Sequence, residues 1–267
     1  MPIFLFLAPE QNLMAQKPDI PTNKKIYFAS DFHLGAPNDE SSSQREQKII
    51  RWLDHIKSDA YKIYLVGDIF DFWFEYKHAI PKGFVRFQAK LASLVEEGIQ
   101  VTLFTGNHDI WMFDYFPKEL GITVQTNPIS LSFNKKKLYV GHGDGLGPGD
   151  GKYKALKKIF TNKFCQRSFS WLHPDIGIGF AKRWSRRSRI STSAAEEINY
   201  GDKEHLLIYC KEMEEKEHHD YYIFGHRHLL LDVKINSTSR YINLGEWVNH
   251  SYYAVFDGDD LSVLEYD

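Results

Sequence analysis

Five times along this chain of 267 residues, a short apolar run ends in Asp, Asn or His with glycine close by. Lys25-Ile26-Tyr27-Phe28-Ala29 leads into Asp31-x-His33, and Lys62-Ile63-Tyr64-Leu65-Val66 leads into Gly67-Asp68-x-x-Asp71. Val101-Thr102-Leu103-Phe104 precedes Gly106-Asn107-His108-Asp109, and Leu138-Tyr139-Val140 precedes Gly141-His142-Gly143-Asp144. Tyr221-Tyr222-Ile223-Phe224 precedes Gly225-His226-x-His228. Runs of this length, rich in branched and aromatic residues and stopped by glycine, read as buried strands. In an α/β sheet the loops after such strands converge over one edge, so the five polar clusters are expected to meet there.

Between the early strands the period changes. Ile49, Ile50, Leu53 and Ile56 fall at helical spacing within 45–57, and Phe87, Leu91, Leu94 and Val95 do so within 84–97. Strands alternating with helices argue for βαβ units and a largely parallel sheet. Short strands at 240–244, 252–256 and 261–265 have no helices between them and read as an antiparallel half. The expected architecture is α/β, a four-layer α/β/β/α sandwich, as one domain over residues 23–267. Residues 1–22 are expected to form a loose extension, with Met14 a candidate start.

Residues 152–220 look helical and almost free of strands, so they are expected to form a cap inserted between two strands. Tyr153, Leu156, Phe160 and Phe164 make one apolar stripe on a helix that Pro174 stops, and Ile176, Phe180 and Trp184 make a second. Thr192 to Ala195, followed by Glu196, offers a capping start for a third helix. The charge is concentrated here. Residues 152–189 hold eleven Lys or Arg against one acid, Asp175, which gives +10 in a chain of net −2, so the remainder carries −12. Such a cap would attract an anionic pyrophosphate or an anionic bilayer surface. Its apolar stripes would line a trough for acyl chains, lie at a lipid interface, or pack the cap onto the body.

The donor set narrows the chemistry. Imidazole and carboxylate together suit Mn, Fe or Zn, and no thiolate is offered, since Cys165 and Cys210 stand far apart without metal spacing. Two cysteines also argue against a disulfide framework and for a reducing compartment. Two ions about 3.5–4 Å apart can share a carboxylate and clamp both ends of an in-line phosphoryl displacement. No apolar run approaches the ~20 residues that span a bilayer. The remaining histidines, His55, His78, His173, His205, His218, His219 and His250, are expected to be solvated or packed, with His218-His219 at an exposed helix end.

The order D-x-H, G-D-x-x-D, G-N-H-D, G-H-G-D, G-H-x-H resembles the calcineurin-like metallophosphoesterase superfamily, from residue 25 to about 245. The resemblance implies that Asp31, His33, Asp68 and His228 hold one metal, and that Asp68, Asn107, His142 and His226 hold a second, with Asp68 bridging. It implies that His108 stabilises or protonates the leaving side and that Asp109 orients it; Asp71 is read as supporting the loop. A finer likeness is to the UDP-2,3-diacylglucosamine pyrophosphatases of lipid A synthesis. It rests on Phe72-Trp73-Phe74 after Gly67-Asp68-Ile69-Phe70, on Asp150 and Tyr153 after His142-Gly143-Asp144, on the basic cap ending in Arg186-Arg187-Ser188, and on Leu244-Gly245-Glu246-Trp247. That likeness implies substrate contacts from Asp150, Tyr153, Arg187 and Ser188, a glycolipid nucleotide as substrate, two divalent ions (Mn foremost), and a cytoplasmic protein associated peripherally with the inner membrane. His108 departs from the best-known branch, which has Arg there; His is the general superfamily pattern.

Two other readings compete. One is a phosphodiesterase or pyrophosphatase for a soluble nucleotide or another phosphoester; its nuclease variant lacks any nucleic-acid motif, and apolar residues dominate between the cap's charges. The other is a scaffold that lost catalysis, whose ligands should have decayed. Nothing in the sequence calls for an obligatory protein partner.

Overall fold

The computed structural model describes residues 19–149, 151–181, 183–185 and 198–267. Alternate residues of each buried strand face opposite cores, and this alternation builds the layers. Strands β1 (Lys25–Ala29), β2 (Ala60–Val66), β3 (Gln100–Phe104) and β4 (Thr123–Gln125) run parallel. Helices α1 (Asp39–Ile56), α2 (Val85–Glu96) and the short α3 (Tyr115–Leu120) form the connections between them. Ile63 and Leu65 of β2 join Ile49, Trp52 and Leu53 of α1 and Phe87, Leu91 and Leu94 of α2 in one core. Tyr64 and Val66 point the other way, into a core between two sheets.

The second sheet has the order β5 (Ile129–Phe133), β6 (Lys136–Val140), β7 (Tyr221–Phe224), β9 (Arg240–Leu244), β8 (Leu230–Lys234). Tyr221 and Ile223 of β7 face the core between the sheets, while Tyr222 and Phe224 face Leu206, Leu207 and Cys210 of an outer helix. The layers are therefore helices, sheet, sheet, helix, as the sequence led us to expect. The late strands do not make one antiparallel half. Strand β9 pairs parallel with β7 and antiparallel with the edge strand β8, whereas β10 (Tyr252–Phe256) and β11 (Leu261–Glu265) extend the first sheet antiparallel beside β1.

Between β6 and β7 lie α4 (Gly151–Thr161), α5 (Lys163–Phe169), α6 (helical residues 174–181 and 183–185) and α7 (His205–Glu214). The expected single helix up to Pro174 breaks at Asn162, whose side chain accepts from the backbone N–H of Phe164 and Cys165 and starts α5. Phe164 accordingly leaves the stripe and is 78% exposed. Helix α7, which falls inside the expected insertion, packs on the second sheet as its outer layer. Helices α4–α6 seat on Phe72, Phe74 and Trp111 through Phe160, Phe169, Ile178 and Ala181, and Trp111 Nε1 donates to the Phe160 carbonyl at 2.8 Å. The expected third helix start at 192–196 lies outside the described residues. His219 is not at an exposed helix end: it is buried, and its Nε2 stands 2.8 Å from Ser130 Oγ.

Candidate metal centre

The loops after the strands turn so sharply that their polar residues occupy the left-handed region. Asp31, His33, Asp68, His226 and His228 have φ of 56°, 45°, 51°, 70° and 53°, a conformation that costs an L side chain energy and persists only where its surroundings over-determine it. Two polar side chains do so for the Asp31–His33 and Asp68 turns. The buried Arg45 of α1 donates to the carbonyls of Phe32 at 2.6 Å, His33 at 2.8 Å, and Ala36, clasping the Asp31–His33 loop. Asp109 accepts the backbone N–H of Ile69 at 2.8 Å, Phe70 at 3.2 Å, Gly106 at 2.7 Å and Asp68 at 3.3 Å. Close approach also requires glycine at 106 and 225, where a Cβ would overlap the carboxylates of Asp68 and Asp31 respectively.

The seven residues expected as ligands come together as two groups sharing Asp68. In the first, the donor atoms of Asp31, His33, Asp68 and His228 all lie within 4.8 Å of one another. His33 Nε2 and His228 Nε2 face each other at 2.9 Å, and Asp31 Oδ1 lies 3.2 Å from His228 Nε2 and 3.6 Å from His33 Nε2. In the second, His142 Nε2 lies 3.4 Å from Asp68 Oδ2, and Asn107 Oδ1 lies 3.3 Å from His142 Nε2 and 2.9 Å from His226 Nδ1. Asp68 Oδ2 thus stands between the groups, 3.9 Å from His33 Nε2, while its Oδ1 accepts the His108 backbone N–H at 2.8 Å.

Divalent ions fit this arrangement. Among the described residues Asp31 Oδ1 is buried with no hydrogen-bond partner, and the His226 N–H engages Oδ2 instead. His142 donates Nδ1–H to the Val66 carbonyl at 2.8 Å, which leaves the Nε2 lone pair aimed at Asp68. Without a cation the charges act on each other. Burial opposes ionisation of Asp31 and Asp68, yet the surrounding histidines hold both carboxyls well below the usual range. Burial likewise opposes the charge on His142, but Asp68, Asp31 and Asp144 raise it to about 10. Burial and His142 push His226 down.

One expected role changes. Asp109 does not orient His108, since its oxygens are taken by the loop amides. Instead, His108 Nδ1 lies 3.1 Å from the Asp71 carbonyl and 2.9 Å from Ser185 Oγ, and Ser185 Oγ donates to Asp71 Oδ1 at 2.9 Å. His33, Asp71 and His108 form a third close group, but Nδ1 of His108 is already engaged there. Arg45 and Ser185 were missed by sequence reading because a lone Arg or Ser on a helix carries no spacing signal. Tyr153 donates to Asp144 Oδ2 at 2.5 Å, and its ring lies tilted at 35° with its centroid 6.4 Å from that of His226. Asp150, Arg187 and Ser188 lie outside the described residues. From Asn107 and His108 a cavity of about 300 Å³ runs under the cap, walled by Leu156, Ile159, Phe160, Phe180 and Trp184.

A sheet sandwich whose strand ends gather carboxylate, amide and imidazole donors around one shared Asp defines a metal-dependent phosphoesterase. The family model described as calcineurin-like phosphoesterase matches residues 24–230, and the chain belongs to that family. More particularly, it is 37% identical to the UDP-2,3-diacylglucosamine hydrolase of Porphyromonas gingivalis, over 90% of this chain and 97% of that one. It is 26% identical to the protein of the same name from Proteus mirabilis, over 90% and 98% of the two chains.

Proposed function

We propose that this enzyme hydrolyses the pyrophosphate of UDP-2,3-diacylglucosamine to UMP and 2,3-diacylglucosamine 1-phosphate. The observation that carries the reading is the apolar trough of about 300 Å³ that begins at Asn107 and His108. A site for small soluble esters has no need of an apolar wall beside its donors, whereas an acylated sugar phosphate needs both at once. The likeness to curated hydrolases of that glycolipid nucleotide supports the same choice.

In this reading Asp31, His33, Asp68 and His228 hold one divalent ion, and Asp68, Asn107, His142 and His226 hold another, manganese foremost. When bound, the ions would polarise the phosphoryl oxygens and make a water acidic enough to attack at neutral pH. The protein's own part is geometric and protonic. Asp68 is held by the His108 amide so that its other oxygen serves both groups. His108, at the mouth of the trough, meets the leaving side and stabilises or protonates it. Tyr153, with Asp150, Arg187 and Ser188, contacts the sugar or phosphates.

The substrate's chains tie the protein to a membrane, which we take to be the cytoplasmic face of the inner membrane. Among the described residues no helix is long and apolar enough to cross one. Phe164, Trp171, Ile176 and Phe180 of the cap are 78%, 82%, 64% and 60% exposed among its basic residues. Apolar side chains in a cationic field suit an interface of anionic lipid. Purified, manganese-loaded protein given the lipid in detergent micelles should release UMP, read by chromatography. No UMP release defeats the proposal, and turnover of soluble nucleotides regardless of acyl chains favours a soluble-nucleotide phosphodiesterase instead.

A further inference from the structure

One cap side chain reaches the reacting end of the site. Ser185 is the last described residue of α6 and is buried, and its Oγ stands 2.9 Å from both His108 Nδ1 and Asp71 Oδ1. A hydroxyl has one hydrogen, and an ionised carboxylate offers only acceptors. Ser185 therefore donates to Asp71, and its lone pair accepts the Nδ1–H of His108. The Asp71 carbonyl, 3.1 Å from the same ring nitrogen, asks for the same proton. Both partners agree on one tautomer and one ring plane, which leaves Nε2 as the nitrogen that meets the phosphoryl group.

Helix α6 does a second thing. Ile178 and Ala181 seat it on Phe72, Phe74 and Trp111, while Phe180, Ala181 and Trp184 wall the trough. The element that lines the apolar chain site thus also carries the hydroxyl that aims the imidazole. We propose that Ser185 is a positioning residue that sets the ring of His108 and couples it to the seating of the cap. This rests on His108 acting on the leaving side, as read above. Losing one of the two Nδ1 contacts lets the ring swing about the remaining one, and misplacement of this kind costs about 10- to 100-fold in rate.

The test is a double-substitution cycle on the manganese-loaded enzyme with the acylated nucleotide in micelles. Ser185→Ala should lower kcat about 10- to 100-fold with KM within about twofold of wild type. Ser185→Thr, which keeps the hydroxyl, should restore most of it. In a His108→Ala background, Ser185→Ala should add no further loss, because the ring it aims is gone. A wild-type kcat in Ser185→Ala, a rise in KM alone, or a loss that multiplies with that of His108→Ala overturns the role of Ser185 while leaving His108 catalytic. A His108→Ala enzyme with wild-type kcat overturns the reading of His108, and Ser185 falls with it.

Discussion

In the metal-free protein burial disfavours a charge on His142, yet the carboxylates of Asp68, Asp31 and Asp144 outweigh it and raise the imidazole to about 10. At pH 7.5 the imidazolium is therefore the main form of His142. A ring nitrogen that ligates a cation must give up its proton, and Nδ1 is committed to the Val66 carbonyl, so the proton leaves from Nε2. Filling the group of Asp68, His142 and His226 should then release about one proton per ion, and apparent affinity should rise about tenfold per pH unit from pH ~6.5 to ~8.5. Calorimetric titration with manganese in two buffers of different ionisation enthalpy reads this directly, as a heat that changes with the buffer. His142→Ala should remove the difference along with much of the affinity. Equal heats in both buffers for the native protein, or affinity flat across that range, would refute the reasoning. The sign for stability follows from the same shift. The folded value lies above the ordinary 6.5, so the contribution is full below about pH 6.5 and disappears as pH rises through about 10.

Asp68→Ala should abolish turnover and drop bound metal below two ions per chain by elemental analysis. His108→Ala should lower kcat by ~10²–10⁴ with metal content unchanged, the signature of a group acting on protons or charge rather than holding ions. Trp171→Glu with Ile176→Glu should weaken sedimentation with anionic phospholipid vesicles at least ~10-fold, since each exposed apolar side chain contributes about 1.5–3 kcal/mol on burial. Hydrolysis of a small chromogenic phosphodiester by that variant should stay at the native rate. Arg45→Met strips three carbonyls of their buried donor and should cost about 3–5 kcal/mol. A melting temperature within ~3 °C of native by circular dichroism would show that the clasp does little.

The two sheets and the donors were legible because each buried strand announces itself twice, by its apolar run and by the glycine and polar residue that end it. Strand β8 escaped because Leu230–Lys234 is a partly exposed edge strand with little alternation, and β4 because Thr123–Gln125 is only three residues long. The break at Asn162 had a readable signal, a capping residue inside an otherwise helical pattern, which the apolar stripe masked. Asp109 misled through adjacency. It follows His108 in the chain, but four loop amides nearby need an acceptor, and their demand turns the carboxylate away. Ser185 meets Asp71 across 114 residues of chain, a pairing that spacing cannot announce.

What the sequence hides most completely is why the donors stay where they are. Among the described residues eight non-glycines have positive φ, and five of them are expected ligands. At roughly 1–2 kcal/mol each, five left-handed residues cost about 5–10 kcal/mol, comparable to the whole stability of an ordinary domain. Phe32, Leu34, Ile69 and Phe70 of these loops are buried in the core and help hold the turns, but apolar contacts do not satisfy the turns' amides and carbonyls. Directional bonds do. Arg45 fixes three carbonyls around His33, and Asp109 fixes the amides that follow Asp68, so two of the strained turns are each pinned by a polar side chain from another element. The same two side chains are themselves buried, and each would be expensive without the strained loop that satisfies it. Strain and buried polar groups are thus mutually dependent. That dependence explains how a site able to hold like-charged cations side by side can be rigid before any cation arrives.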